Sequence, residues 1–148
     1  MTNEKAISWD EFFMEVANSA AKRSKDPNTK VGACIVETKN KHIIGTGYNG
    51  MPNGFDDDEA PWGREGDFEN SKYAFVVHAE LNAILNSTKE LDGATIYVSL
   101  FPCNECSKAI VQSGIKEIVY ADDKYNGTPA DNVSKRILST CGVKIRKI

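Results

Sequence analysis

Four side chains in two short motifs carry the chemistry of this sequence. His78-Ala79-Glu80 offers an imidazole and a carboxylate, and Pro102-Cys103-Asn104-Glu105-Cys106 offers two thiols. One imidazole and two thiolates are a donor set suited to zinc. Three protein ligands leave the fourth tetrahedral position to water, which marks a catalytic rather than a structural zinc. Zinc lowers the pKa of that water towards about 7. Glu80, left unliganded beside it, can move protons between water, substrate and leaving group. The motifs therefore read as a hydrolytic centre, with His78, Cys103 and Cys106 as metal ligands and Glu80 as the proton shuttle.

The elements that carry these residues must bring them together. Residues 95–100, Thr-Ile-Tyr-Val-Ser-Leu, are β-branched and aromatic and read as a strand. Residues 103–113 follow as a helix closed by Gly114, a typical C-cap. Cys103 then falls at a strand end and a helix start, where ligands collect in open α/β sheets. Cys103 and Cys106 are three apart and share one helix face. The positive end of the helix favours their thiolates. His78 and Glu80 are two apart, so inside a regular helix they would point about 200° apart. They converge only where the chain is still partly extended. The helix expected over 73–86 must therefore start close to His78, with 73–77 as its lead-in and Leu81, Ile84 and Leu85 as its apolar face.

The remaining chain supplies the frame. Ser8 and Glu11 form a capping box for a helix over 9–24, with Phe13, Val16, Ala17 and Ala20 on one stripe and Asp26-Pro27 as its stop. Residues 31–36 and 42–49 read as a hairpin across a polar turn. Residues 50–70 are a long irregular segment, rich in Gly, Pro and Asp, with an acidic run over 56–59. A loop of that length inside a domain suggests function or disorder. Residues 115–120 are a strand, and with 95–113 they complete a parallel, right-handed βαβ unit. Pro129 starts a last helix that ends near Cys141-Gly142, and 143–146 alternate as a half-exposed strand. The order α-β-β-α-β-α-β-α-β predicts an α/β fold, a three-layer α-β-α sandwich around a five-stranded mixed sheet, with 1–148 as a single zinc-dependent domain.

Composition narrows the function classes. The chain has 148 residues, 41% hydrophobic and 26% charged, with a formal net charge of −3. That balance suits a globular protein and argues against a nucleic-acid-gripping chain. No apolar run approaches the roughly 20 residues of a membrane span, and Met1-Thr2-Asn3-Glu4-Lys5 lacks a leader pattern, so the expectation is a cytoplasmic protein. The four cysteines, Cys34, Cys103, Cys106 and Cys141, are then unlikely partners for disulfides. A redox reading of Cys-x-x-Cys fits poorly beside its proline and the upstream His-x-Glu. A closed structural zinc needs a fourth ligand, and His42, Cys34 and Cys141 fall in strand or turn contexts away from the motifs.

His-x-Glu followed by Pro-Cys-x-x-Cys is the established signature of zinc-dependent base deaminases. The chain resembles the cytidine and deoxycytidylate deaminase superfamily, and within it the deoxycytidylate (dCMP) deaminases. The resembling segments are Asp26-Pro27-Asn28-Thr29-Lys30-Val31-Gly32-Ala33, Gly47-Tyr48-Asn49-Gly50-Met51-Pro52-Asn53-Gly54, 78–84 and 100–106. The resemblance implies a cytidine deaminase-like fold and one catalytic Zn2+ per subunit, held by His78, Cys103 and Cys106 with Glu80 as shuttle. It implies hydrolysis of dCMP to dUMP and ammonia, supplying dUMP for thymidylate synthesis. It further implies deoxyribose binding by Asn49, a homohexamer, activation by dCTP with Mg2+ and inhibition by dTTP. The regulatory nucleotide would lie on Gly50, Met51, Pro52, Asn53 and Gly54, with Lys30 as a phosphate partner. Some relatives hold a second zinc with Cys and His in the insertion, whereas here Phe55 follows Gly54 and the insertion has no Cys or His before His78. The sequence shows no phosphate cradle of the Walker type, and Tyr125 and Lys89 are candidates for the substrate's phosphate by position alone. Competing readings are a deaminase of another cytosine, guanine or tRNA adenine substrate, and a non-catalytic zinc module.

Overall fold

The computed structural model describes residues 5–148; residues 1–4, on which the absence of a leader pattern was read, lie outside them. The elements run α1 (Trp9–Ala21), β1 (Gly32–Glu37), β2 (His42–Tyr48), α2 (Ala79–Leu85), β3 (Thr95–Leu100), α3 (Asn104–Ser113), β4 (Glu117–Asp122), α4 (Pro129–Thr140) and β5 (Lys144–Lys147). The five strands form one sheet in the order β2-β1-β3-β4-β5. β1 is antiparallel to β2 and β3, while β3, β4 and β5 are parallel, as the βαβ pattern requires.

Strand alternation sorts the core into two layers. Ala33, Ile35, Ile96, Val98, Ile118 and Tyr120 face α2, α3 and α4. Their neighbours Cys34, Val36, Tyr97 and Val119 face α1. A side-chain period of two makes this inevitable for strands buried on both faces. Cys34 is completely buried, and burial pushes its thiol up to about 12, so it behaves as a small apolar side chain.

α1 starts where the capping box places it. The Ser8 hydroxyl accepts the Glu11 amide at 3.1 Å and donates to the Glu11 carboxylate at 3.2 Å. The helix stops at Ala21, short of the expected end at residue 24, and Ser24 and Asp26 just beyond it are buried. Its buried stripe is Phe13, Met14, Ala17 and Ala21, so Val16 and Ala20 lie at the stripe's margin rather than in it. A polar clasp ties α1 to the sheet. The Tyr97 hydroxyl donates to Asp10 at 2.6 Å, and the Arg146 guanidinium forks onto Asp10 at 2.9 and 3.1 Å while reaching Glu117 at 3.1 Å. The Arg146 guanidinium holds the Asp10 carboxyl down at about 2.

β5 is exposed at all four positions, in place of the expected half-exposed alternation. The buried apolar residue is Val143, just before the strand. The result is a short, cationic edge, which discourages pairing with other sheets. At the opposite edge, Asn82 and Asn86 of α2 donate to the carbonyls of Tyr48 and Thr46, at 2.8 and 3.2 Å.

α2 differs most from expectation. Its buried residues are Ala79, Glu80 and Ala83, whereas Leu81 and Leu85 point outward. The reason is the close approach of α2 to β2. A Cβ on Gly47 would fall 2.4 Å from the Ala83 nitrogen and 2.5 Å from the Ala79 oxygen. Small residues on both sides let the two backbones meet, and the larger side chains are left to the outer face.

The registers Gly32↔Tyr48, Ala33↔Val98 and Leu100↔Asp122 put the start of β1 and the ends of β2, β3 and β4 at one edge of the sheet. The segments leaving that edge build the site. Gly47→Ala is expected to cost about 1–3 kcal/mol through overpacking at the α2–β2 contact. Thermal denaturation should show it as a melting point several degrees lower, with a parallel loss of activity because α2 carries His78 and Glu80.

Candidate active site

His78 is the N-cap of α2, with extended backbone at φ −70° and ψ 155°. Cys103 is the N-cap of α3, also extended, and its sulfur accepts the Cys106 amide at 3.4 Å. Both halves of the motif therefore sit at helix starts, as the spacing demanded. Pro102 is locked beneath Cys103 by the Ser134 hydroxyl of α4, which donates to the Pro102 carbonyl at 3.0 Å.

His78 Nδ1 lies 3.5 Å from Cys103 Sγ and 3.3 Å from Cys106 Sγ. Bonds of about 2.1 Å to nitrogen and 2.3 Å to sulfur, meeting at a tetrahedral angle, separate such atoms by about 3.6 Å. The three donor atoms all lie within 4.8 Å of one another. The arrangement fits a zinc ion with one position left open. The Cys103 thiol is held down at about 4 by its hydrogen bond with Cys106, assisted by His78. The Cys103 thiolate pushes the neighbouring Cys106 thiol up. A shared dication stabilises both thiolates.

Glu80, two residues on, turns inward and is only 4% exposed. Burial pushes its carboxyl up to about 7. A carboxyl poised near neutrality can both take and return a proton at working pH.

A cavity of about 340 Å³ opens over these groups, within the range of small-ligand pockets. His78, Glu80 and Cys103 line it, as do Asn49 and Tyr125. Asn49 is nearly buried and its amide is already at work. Its Oδ1 accepts the Val31 amide at 2.9 Å, and its Nδ2 donates to the Thr29 carbonyl at 2.9 Å and to Asp26 at 3.5 Å. Asn49 thus pins the strap over 26–31 to the cavity, and one lone pair of Oδ1 remains for a ligand. Tyr125 stands at the mouth, half exposed, with the Lys124 ammonium 5.1 Å from its ring centre.

Three cavity residues, Asp26, Lys72 and Arg64, were not among the expected site residues. Asp26 is 1% exposed and Lys72 is 7% exposed, and they form an ion pair at 2.7 Å. Burial pushes the Asp26 carboxyl up, but Lys72 and the amides of Asn28 and Thr29 outweigh it and hold the group below the usual carboxylate range. Arg64 also lines the cavity. Both cations come from the insertion between β2 and α2, whose base is closed by the reciprocal bonds of Gly50 and Val77 at 3.0 and 2.8 Å. The Asp-Pro-Asn turn at 26–28 was a usable hint for Asp26. Lys72, amid an irregular polar segment, offered none.

Gly50, Met51, Pro52, Asn53 and Gly54 line a second, shallower concavity of about 210 Å³. The cations facing it are Arg23 and Lys25, and Lys25 is paired with Asp57 of the acidic run at 2.7 Å. Lys30 is exposed and lines neither cavity, and Lys89 is likewise exposed and outside both.

A five-stranded mixed sheet with a His-Cys-Cys centre and a buried carboxyl at its edge defines the class of zinc-binding deaminases. The family profile described as "Cytidine and deoxycytidylate deaminase zinc-binding region" matches residues 7–122, and the chain belongs to this family. Among its relatives, the deoxycytidylate deaminase of Homo sapiens is 50% identical over 143 residues, covering 95% of this chain and 80% of that protein. The probable deoxycytidylate deaminase of Drosophila melanogaster is 47% identical, covering 95% of this chain and 72% of that one. The crystal structure of dCMP deaminase from the cyanophage S-TIM5 in complex with dCMP and dUMP superposes with a TM-score of 0.75 at 29% identity, covering 93% of this chain and 95% of that chain.

The donor geometry makes one expectation direct. Cys103→Ala or Cys106→Ala should reduce zinc, measured by elemental analysis of purified protein, from about one per chain to a small fraction of that, because two protein donors hold zinc far more weakly than three.

Proposed function

We propose that this protein is a zinc-dependent hydrolase converting dCMP and water to dUMP and ammonia, with residues 1–148 working as a single deaminase domain. The observation that carries the reading is the placement of Glu80. It is a buried carboxyl at the start of the helix capped by His78, in a cavity sized for a nucleotide, beside the three zinc donors. Similarity to deoxycytidylate deaminases over most of the chain supports dCMP as the substrate.

His78, Cys103 and Cys106 hold the zinc, which supplies a polarised water of lowered pKa when bound. Glu80 takes the proton of the attacking water and delivers it to N3 of the cytosine ring as the oxygen–C4 bond forms. Glu80 then takes the proton of the new C4 hydroxyl and gives it to the exocyclic amine, so that the C4 carbonyl forms as the C4–N bond breaks and ammonia leaves. The two protons of the attacking water thus end on N3 and on ammonia, and Glu80 finishes in the state in which it began. Asn49 holds the strap over 26–31 against the cavity and presents its remaining Oδ1 lone pair to the deoxyribose, and Tyr125 flanks the mouth.

The finer parts of the reading have their own supports. A product of dUMP suits supply to thymidylate synthesis in the cytoplasm, and no helix among the described residues is long and apolar enough to cross a membrane. Assembly into a homohexamer is supported by exposed apolar side chains, Phe68 and Leu85 each being 70% exposed. Regulation by dCTP with Mg2+ and by dTTP is assigned to the concavity at 50–54, where Arg23 and Lys25 are better placed than Lys30 to meet phosphates. A net charge of −3 favours a free nucleotide over tRNA as substrate.

Glu80→Gln should keep its zinc while losing about 10²–10⁴-fold in kcat on dCMP, followed by ammonia release. Near wild-type turnover in that variant would refute the shuttle. The same assay on wild-type enzyme with dCTP and Mg2+ added, then with dTTP, should show activation and inhibition respectively; a rate indifferent to both would refute the regulatory site.

A further inference from the structure

One stretch of the cavity wall belongs to no motif. Asp123, Tyr125, Thr128, Ala130 and Asp131 line the cavity, and all lie between the end of β4 and the first turn of α4. The backbone there folds into two consecutive turns. The Asn126 amide donates to the Asp123 carbonyl at 3.0 Å, and the Thr128 amide donates to the Tyr125 carbonyl at 3.1 Å. Tyr125 belongs to both turns. Its ring is half exposed, so the turns place it and packing does little. Two such turns do not by themselves hold an exposed segment in one conformation, because each ordered residue costs entropy.

Lys135 of α4 supplies the hold. Its ammonium donates to Asp123 at 3.1 Å, to Asn126 at 2.7 Å and to Asp131 at 2.8 Å. Three acceptors meet three N–H donors, so the ammonium is saturated. Asp123 and Asn126 are the two ends of the first turn. Asp131 reaches the second, since the oxygen that Lys135 holds also accepts the Gly127 amide at 3.0 Å. The Thr128 hydroxyl in turn accepts the Asp131 amide at 3.2 Å. The Lys135 ammonium also lies 5.1 Å from the ring centre of Phe101, within reach of a cation–π attraction. Phe101 lies between β3 and Cys103, so one side chain ties the mouth turns to the segment that leads to a metal donor. Asp123 and Asp131 are both largely buried, and without a shared cation their charges would repel. Lys135 itself does not line the cavity and works from behind its wall.

We propose that Lys135 is a positioning residue for the reaction, holding the turns over 123–128, and with them Tyr125 and Asp123, in place against the substrate. It acts through those residues and does not touch the substrate. The inference rests on the dCMP reading and adds to it an element, α4, that the zinc motifs leave out.

The test measures kcat and KM for dCMP in the zinc-loaded enzyme, with hydrogen–deuterium exchange on the same samples. K135M keeps an unbranched side chain and removes its charge and donors. It should raise KM about ten- to hundredfold, the cost of a binding wall displaced by about an ångström. kcat should change far less, because the metal donors and Glu80 sit on α2 and α3. K135R should recover most of the loss, since a guanidinium can also reach several acceptors. The amides of 123–128 should exchange faster in K135M, while β3, α2 and α3 keep their protection. If K135M does not fold, N126A decides, because Asn126 is exposed and its loss frees one end of the first turn. KM should then rise, and the same amides exchange faster, to a smaller degree. A wild-type KM in the variant used, a K135R enzyme as impaired as K135M, or exchange accelerated throughout the molecule overturns the role, while dCMP deamination by the wild type stands. A wild-type enzyme that leaves dCMP untouched overturns the functional reading and the proposal with it.

Discussion

The site depends on a contact that has no side chain in it. α2 lies directly on β2 because Gly45 and Gly47 present bare backbone to Ala79 and Ala83. That approach sets the height of α2 above the sheet. It also sets where His78, its N-cap, and Glu80, in its first turn, stand relative to Cys103 and Cys106. Leu81 and Leu85 are turned outward for the same reason, since the face of α2 against β2 has room only for the alanine methyls, while Ile84 of the expected apolar face packs half-buried against the core. Packing of this kind is unforgiving, because a helix that must move by the width of one methyl carries its ligands with it.

Electrostatics complete what packing begins. The extended backbone at His78 and Cys103 puts both at the positive end of a helix, where thiolates are favoured. Burial acts in the opposite sense on Glu80, raising its carboxyl towards neutrality. The site so separates its groups by role. The thiols are biased towards charge and the carboxyl is biased towards exchange of a proton. A single sheet edge hosts both environments, because the ends of β2, β3 and β4 and the start of β1 converge there.

The insertion adds a second polar system to that edge. Asp26, Asn49 and Lys72 come from three segments and form one buried network of ion pair and amide bonds. Buried networks of this sort hold their members firmly, since a missing partner leaves an uncompensated charge. The cavity is thereby lined both by His78 and Cys103 of the metal-donor cluster and by a fixed ammonium.

Much of this was legible in the linear sequence because it rests on local rules. Periodicity and caps located the four α-helices and five strands, although α2 is confined to 79–85 and two short 3-10 turns over 68–70 and 72–74 went unread; the βαβ spacing required parallel strands, and Gly114 capped α3 with φ at 91°. The separation of two between His78 and Glu80 demanded a helix start, and the chain supplies one there. What failed were inferences about which face is buried. Leu81 and Leu85 look like a core stripe until the glycines of β2 are known to lie opposite, and β5 looks half-buried until it is seen as an edge. Lys72 was invisible for a deeper reason. Its place in the cavity wall arises from a contact with Asp26, 46 positions away in sequence, and no local pattern encodes such a contact. The sequence by itself determined which side chains meet as metal donors, His78, Cys103 and Cys106, because metal geometry imposes spacing on neighbouring residues. Only the tertiary structure decided the walls of the cavity, because burial and pairing belong to the folded chain.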